Sequence, residues 1–355
     1  MAVILGFLAG AGLSVQTSIN TRLKKKVGTP YNASMISFLI SLTFLSILLA
    51  ATGQEVLIPF DKLKQEPLWI WIGGICGPAF LTGNIILFSK LGSVQAAVLP
   101  VLGQIFMGLI IDNFALFYSQ QKPLTLLRAI GALMVLGGVI IVSLAKADTK
   151  DRKAMPVPSE PADSLNNTAK QPAGCESRSL SAGLSDNIVV TSPSNSSQNY
   201  LYLLIWSLFG ICTGGLSAVQ TAVNGYLGRL LSSPLKATSI SFTVGSITLV
   251  TLCIILKLKH SGQTPSIPYQ NTHSFKPWWM WTGGLFGSLY VLANVNMSRI
   301  VGTGMTVIIL LSGTTLGGVL IDHFGLLEAP KKPINLQKIL GLIIMLIGAA
   351  AIKLP

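Results

Sequence analysis

Charged residues are scarce in this 355-residue chain: they make up 10% of it, while 50% of the residues are hydrophobic. Soluble domains carry about 25% charged residues, so a soluble globular protein is excluded. The net charge of +13 is spread over short basic clusters between apolar runs. Such clusters are typical of loops that meet anionic lipid headgroups, and they give no indication of nucleic-acid binding.

Residues suited to catalysis or metal binding are also few. The chain has three histidines and four cysteines, and no CxxC or HExxH spacing connects them. No paired carboxylates, phosphate loop or Ser/His/Asp set accompanies the apolar runs. We therefore predict that the protein is not an enzyme and holds no metal and no cofactor.

Long apolar runs are what the sequence does contain. A membrane-spanning helix needs about 20 mostly apolar residues, and ten runs meet or approach that length. Prolines precede several of them, as expected where helices begin. The predicted helices cover 2–21, 31–51, 68–89, 93–112 and 126–145, then 200–223, 235–256, 278–297, 302–321 and 335–352.

One internal stretch differs from the rest. Residues 147–198 are rich in Ser, Asn, Pro and acidic residues and have no apolar period, which is typical of disorder. The sequence thus divides into a first five-helix transmembrane repeat (1–146), a disordered polar linker (147–198) and a second five-helix transmembrane repeat (199–355).

The two halves repeat each other's sequence. Five segments of the first half match segments of the second at an offset of 204 positions early and 210 later. Matches at a nearly constant offset are a strong sign of internal duplication. The matches are SVQTSIN/AVQTAVN, ASMISF/ATSISF, WIWIGGICG/WMWTGGLFG, LIIDNFALF/VLIDHFGLL and KPLTLLRAIG/KPINLQKILG.

An odd number of helices in each half predicts that the halves are inverted. After five crossings the second half enters the membrane from the opposite side. The basic clusters agree, because RLKKK (22–26) and the lysines near 257–276 and 331–338 share one face only if the halves are inverted. The positive-inside rule then places the linker in the cytoplasm and both termini outside.

The repeated elements resemble the YdcZ-like family of the drug/metabolite transporter superfamily. In that family a DHFG element follows the fourth of five helices; residues 322–325 read DHFG and residues 112–115 read DNFA. The resemblance covers both halves and implies a ten-helix fold that holds substrate between inverted halves. Ten-helix members usually keep both termini cytoplasmic, unlike the orientation that the charges predict here. Gln104 of the fourth helix is Thr314 in the second copy, so any role it has belongs to one half.

Three titratable residues lie at the ends of apolar helices. Asp112 and Asp322 each end the fourth helix of a half, where a carboxylate costs far less than at the membrane centre. One interpretation is that each closes a helix or turn, pairing with His323, Lys122 or Lys332. The other makes Asp112, Asp322 and His323 a gate or proton relay.

Amides form the polar centre of the apolar runs. Gln16 and Asn20 share one face of the first helix, and Gln220 and Asn224 repeat the arrangement in the sixth. An unsatisfied amide in hydrocarbon costs several kcal/mol, so both pairs must face protein or a wet cavity. They could serve as contacts between helices, as the lining of a cavity, or as both. Asn296 belongs to the same set of amides, and the predicted cavity lining is Gln16, Asn20, Asn84, Gln104, Gln220, Asn224 and Asn294.

The sequence therefore predicts an all-α integral membrane protein with ten transmembrane helices in two inverted five-helix repeats. The function that fits best is secondary transport of a small organic metabolite or drug-like solute by alternating access, in an inner or plasma membrane. Its expected partners are membrane lipid and the solute. One chain would suffice, because it contains both orientations, and a homodimer is also compatible. The alternatives are a lipid flippase or scramblase and a non-transporting scaffold or sensor that docks through the linker.

Overall fold

The structure is a computed structural model that describes residues 2–55, 63–144, 194–259, 277–328, 331 and 334–353. Within these ranges it is helical, without strands. Short 3₁₀ turns, Leu68–Trp71 and Trp278–Trp281, precede α3 and α7. The α-helices are α1 (Ala2–Val27), α2 (Pro30–Ala51), α3 (Ile72–Phe114), α4 (Leu126–Leu144), α5 (Ser194–Leu230), α6 (Pro234–Lys259), α7 (Gly283–Val301), α8 (Thr303–Phe324) and α9 (Leu336–Lys353).

Prolines mark the helix starts that the sequence predicts. Helix α2 begins at Pro30, where the missing backbone N–H costs nothing because first-turn donors lack intrahelical partners. The hydroxyl of Thr29 caps the same end by accepting a hydrogen bond from the Asn32 amide at 3.1 Å. Helix α6 likewise begins at Pro234.

Helix α3 reverses direction, although its hydrogen bonding is helical from Ile72 to Phe114. In a straight helix Leu87 and Leu99 would lie about 18 Å apart. Instead both side chains reach the space next to Gly210 of α5, within 3.4 Å of where a Cβ atom on that glycine would lie. We call residues 72–87 the N-arm and residues 99–114 the C-arm. They correspond to the predicted helices 68–89 and 93–112.

Five segments are long and apolar enough to cross a membrane, judged by length and composition of the described residues. Three further apolar helices, Leu99–Phe114, Leu126–Val142 and Leu336–Gly348, are shorter. The prediction of an all-helical membrane protein is therefore confirmed at this level. The five segments are Pro30–Ala51, Leu68–Leu87, Leu201–Leu230, Pro234–Lys259 and Thr303–Phe324.

Helices of the first half pack mainly against helices of the second. Helix α1 lies on α7 and α8, α5 lies on both arms of α3, and α4 lies on α9. Glycines permit the closest approaches, because a Cβ atom at Gly103 would strike the carbonyl oxygen of Ile211 and one at Gly313 that of Phe7. These four residues occupy equivalent places in the repeat. The two halves thus interlock through equivalent small-residue contacts.

The predicted linker lies largely outside the described residues, so its disorder stays a prediction. Helix α5 begins at Ser194, five residues before the predicted start of the second repeat at 199. Cys175, His260 and His273 also lie outside the described part of the chain.

Candidate functional site

The first amide pair lies against the glycines of a helix in the other half. On α1, the Gln16 amide contacts Gly287 of α7. One turn further, Oδ1 of Asn20 lies 2.6 Å from where a Cβ atom on Gly283 would be. Gly283 and Gly287 are four residues apart on one face of α7, so no side chain separates the two amides from the α7 backbone.

The second amide pair repeats this arrangement with the halves exchanged. Gln220 of α5 lies against Gly77 of the N-arm, its Nε2 2.7 Å from where a Cβ atom would be, and Asn224 lies against Gly73. All four amide residues are buried. Each pair thus lies against glycines of the opposite half. We call these two contacts the α1–α7 seam and the α5–α3 seam.

The two seams differ in hydrogen bonding. Beside the α5–α3 seam, Nδ2 of Asn224 donates to Oγ of Ser241 on α6, a helix of its own half, at 3.0 Å. In the α1–α7 seam the equivalent residues are Asn20 and Ser37. Among the described residues, Oδ1 and Nδ2 of Asn20 have no hydrogen-bond partner, and the Ser37 hydroxyl has none either. Equivalent residues are therefore bonded in one seam and unbonded in the other.

The other predicted lining residues are distributed between the halves. Nδ2 of Asn294 donates to Oγ1 of Thr221 at 2.9 Å, which joins α7 to α5 within the second half. Its repeat partner Asn84 is half-buried, and its Oδ1 lacks a hydrogen-bond partner in the described ranges. Gln104 is buried in the C-arm. Whether any of the seven amides contacts a solute stays a prediction.

Asp112 holds the first turn of a helix in the opposite half. Its fully buried carboxylate accepts hydrogen bonds from the backbone N–H groups of Thr303, at 2.8 Å, and Gly304, at 2.9 Å. These groups begin α8, whose positive end favours a negative charge. The preceding residue, Gly302, has φ +88°, which suits glycine and makes the sharp turn between α7 and α8. Asp112 therefore caps the first turn of α8, a helix of the opposite half, and this contact was not among the roles that the sequence suggested.

The charge partner of Asp112 is Arg128, not one of the lysines or the histidine that the sequence suggested. The guanidinium of Arg128 lies 3.2 Å from Oδ2 of Asp112. Arg128 also donates to the carbonyl oxygens of Lys122, at 2.7 Å, and Pro123, at 3.1 Å. Because each polar group here has a structural partner, the geometry favours a fixed clamp at Asp112 over a proton relay.

The remaining relay candidates lie at the other end of α8. Asp322 and His323 are half-buried in its last turn. Nδ1 of His323 accepts a hydrogen bond from the backbone N–H of Ile334 at 3.3 Å, which ties α8 to the segment before α9. The structure thus places Asp112 and Asp322 at opposite ends of the bundle, so they do not form one relay. A gating role for either stays a prediction.

A row of polar contacts joins the halves at the Asp112 end. Its members lie at helix ends or in adjoining turns, and we call this set the clasp and this end of the bundle the clasp face. Sequence reasoning missed it, because the pairs are distant in the chain. The contacts are Tyr226 to Glu66 (2.6 Å), Ser233 to Gln54 (2.6 Å), Lys236 to Glu55 (3.3 Å), Gln120 to the Arg299 carbonyl (3.2 Å) and Arg229 to the Tyr118 carbonyl.

A cavity of about 900 Å³ lies between α1, α7 and α8. None of the seven amides predicted to line a cavity is among its lining residues. Asn296 does line it, although it was not in the predicted lining. Within the described ranges, no three His, Cys, Asp or Glu side chains come together as a metal site would require.

The helical fold and the cross-packed halves define a polytopic integral membrane protein. The chain belongs to the YdcZ family, described as putative inner membrane exporters, whose family model matches residues 1–141 and 205–351. This confirms the resemblance read from the DHFG and DNFA elements, and it places the chain among membrane transporters. The matched segments lie one in each half, consistent with a tandem arrangement.

Comparison with solved structures supports the fold alone. A structure described only as a crystal structure of protein matches with a TM-score of 0.59 at 15% identity, over 99% of this chain and 96% of that one. No curated protein matches the chain.

Proposed function

We propose that this protein is a secondary transporter that exports a small organic solute, and that its two five-helix halves cross the membrane ten times in inverted orientation. The observation that carries the proposal is the reciprocal pair of seams. Equivalent amides of α1 and α5 lie against equivalent glycines of α7 and α3. A two-fold axis in the membrane plane would relate such contacts, as in inverted-repeat transporters.

Helix direction supports inversion. The repeat-related helices α4 and α9 run antiparallel: a Cβ atom at Gly138 would lie 2.5 Å from the carbonyl oxygen of Gly341, and one at Gly348 would lie 2.7 Å from that of Gly131. Helix α2 ends at the clasp, whereas its counterpart α6 begins there. Both of these helix pairs have opposite directions, which supports the proposed inversion.

Charge supports the orientation predicted from the sequence. The last turns of α1 and α6, opposite the clasp face, carry Lys24, Lys25 and Lys26 and then Lys257 and Lys259. Helix α4 ends and α5 begins at that same end of the bundle. The positive-inside rule therefore favours a cytoplasmic linker and an external clasp face.

Alternating access requires the halves to separate at one face while they close at the other. In the present state the clasp closes its face. The unequal seams fit such an asymmetric state, because an exchange of conformations would break the Asn224–Ser241 bond and form the bond between Asn20 and Ser37. Glycines at both seams allow the helices to slide with little steric resistance.

Flux through the purified protein tests the proposal. The protein is reconstituted in proteoliposomes, and candidate solutes are followed by mass spectrometry of the lumen. Flux above that of empty liposomes is expected. The Gln16→Ala/Gln220→Ala double variant, once shown to fold, should lose most of this flux, and full flux in it would remove those amides from the mechanism.

A lipid flippase is the second candidate, favoured by the exposure of the α1–α7–α8 cavity to the bilayer, and fluorescent lipid translocation in the same vesicles tests it.

A further inference from the structure

The cavity between α1, α7 and α8 opens sideways, toward the bilayer. Leucines of all three helices form its mouth and stay exposed, with Leu8 at 65% and Leu289 at 45%. From Leu5 to Val15 the α1 wall extends about 15 Å along the helix. The volume of the cavity, about 900 Å³, is in the range of small-molecule sites, which are mostly apolar with a few polar groups. We call this cavity the lateral groove.

The two ends of the lateral groove differ in polarity. Toward the clasp face it is lined by Gln54, Ser232, Ser233 and Asn296, while Phe286, the leucines and the glycines line the rest. None of its lining residues carries a charge. An occupant with a charged head would lose its hydration without an opposite charge to compensate, which is costly. An uncharged hydrogen-bonding head fits the polar end, and an aliphatic tail fits the apolar remainder.

Two lining residues, among the many that differ from their counterparts in the other repeat, change the shape and polarity of the groove wall. Gly12 aligns with Leu216, and Asn296 aligns with Ile86. The glycine removes a side chain from the groove wall, and the exposed asparagine places an amide where the other half has an aliphatic residue. Against hydrocarbon that amide is costly, and a ligand that hydrogen-bonds to it lowers the cost. Both departures thus make this half, and not its counterpart, suited to a ligand.

We infer that the lateral groove binds an uncharged amphiphile, a molecule with a hydroxyl- or amide-type head and a single aliphatic tail, which enters from the membrane. Asn296 bonds the head near the clasp face, and the tail lies along α1 and α7. That this amphiphile is the exported solute rests on the proposed transport function; the binding site does not depend on it.

Photolabelling of the full chain in lipid nanodiscs tests the inference. The probe is a monoacylglycerol with a diazirine in its acyl chain and an alkyne for detection. Two comparison probes carry the same diazirine acyl chain. One has a trimethylammonium head, and the other is a diacylglycerol with a second acyl chain. We expect at least tenfold more labelling by the monoacylglycerol than by the cationic probe, on peptides of α1 and α7. Weaker labelling by diacylglycerol would support a single-tailed occupant, and equal labelling by diacylglycerol would contradict it.

Matched variants locate the site. Gly12→Leu introduces the residue of the other repeat and should lower labelling at least tenfold. Gly137→Leu adds the same side chain on α4, where nothing lies within 4 Å of the new Cβ atom, and should leave labelling unchanged. Asn296→Ile keeps the groove's shape and should abolish the preference for monoacylglycerol over a plain alkyl diazirine, so the test remains decisive if Gly12→Leu fails to fold.

Labelling that is unaffected by both groove variants, or equal labelling by the cationic probe, would overturn the inference. Groove labelling without flux of the monoacylglycerol in proteoliposomes would retain the site and reject its role as the transport site. Flux of another solute without groove labelling would reject the site and leave the transport proposal intact.

Discussion

Replacement of Asp112 by asparagine probes the clamp between the halves. The substitution keeps the shape but turns one carboxylate oxygen into an NH₂ group, which faces donors: the N–H groups of Thr303 and Gly304 and the Arg128 guanidinium. Breaking a buried ion pair costs roughly 3–5 kcal/mol, and losing a helix cap costs about 1 kcal/mol. Arg128 retains the carbonyl oxygens of Lys122 and Pro123, which favours the lower end. We expect a loss of about 3 kcal/mol in the free energy of unfolding.

The assay is equilibrium unfolding in mixed micelles, followed by helical ellipticity. Glu55→Gln is the matched control, because the Glu55 side chain is 79% exposed in its ion pair with Lys236 and such pairs contribute at most about 1 kcal/mol. A double-mutant cycle with Arg128→Met should give a coupling energy of about 1–3 kcal/mol. The reasoning is refuted if Asp112→Asn costs no more than the control, or if the effects of Asp112→Asn and Arg128→Met simply add.

Three further predictions concern the seams, the helix contacts and the linker. Asn224→Leu should lower the free energy of unfolding by about 1–3 kcal/mol, since it leaves the Ser241 hydroxyl unbonded. Asn20→Leu should be neutral or stabilising, because the Asn20 amide has no partner to lose. Equal losses for the two variants in the same micelle assay would contradict the asymmetry. Gly103→Ala should cost about 1–3 kcal/mol through its clash with a backbone carbonyl, while Gly137→Ala should stabilise by about 0.5–1 kcal/mol, a contrast that thermal unfolding measures. Deletion of 150–193, which spares α5, should leave flux in proteoliposomes intact, and loss of flux in a folded deletion variant would favour the scaffold interpretation.

The helices and the residues that interrupt them follow closely from the sequence. Apolar runs and prolines are local signals, and they locate α2 and α6 to within a residue at their starts. The reversal inside α3 also agrees with the two predicted runs, even though the hydrogen bonding is helical throughout. The repeat of Gln16 and Asn20 in α5 correctly marks these amides as contacts between helices, and their functional role stays a prediction.

Partners across the bundle could not be predicted, because they depend on packing between distant segments. The glycines that receive the amides lie more than 100 residues away in the chain. The partner of Asp112 is Arg128 because the loop after α3 brings the first turn of α4 back beneath the carboxylate. Most residues that line the lateral groove differ from their counterparts in the other repeat, so the differences at Gly12 and Asn296 alone do not locate it in the sequence.

The central claim is that the two halves separate and close at the clasp face, and a distance distribution across the clasp tests it most directly. Spin labels at Glu55→Cys and Lys236→Cys, in a variant without the four native cysteines, report the separation by pulsed electron paramagnetic resonance in nanodiscs. Alternating access predicts two populations, one at the short distance of the closed clasp and one longer, whose ratio shifts when a bound amphiphile favours one state. A single short distance under every condition would contradict the account.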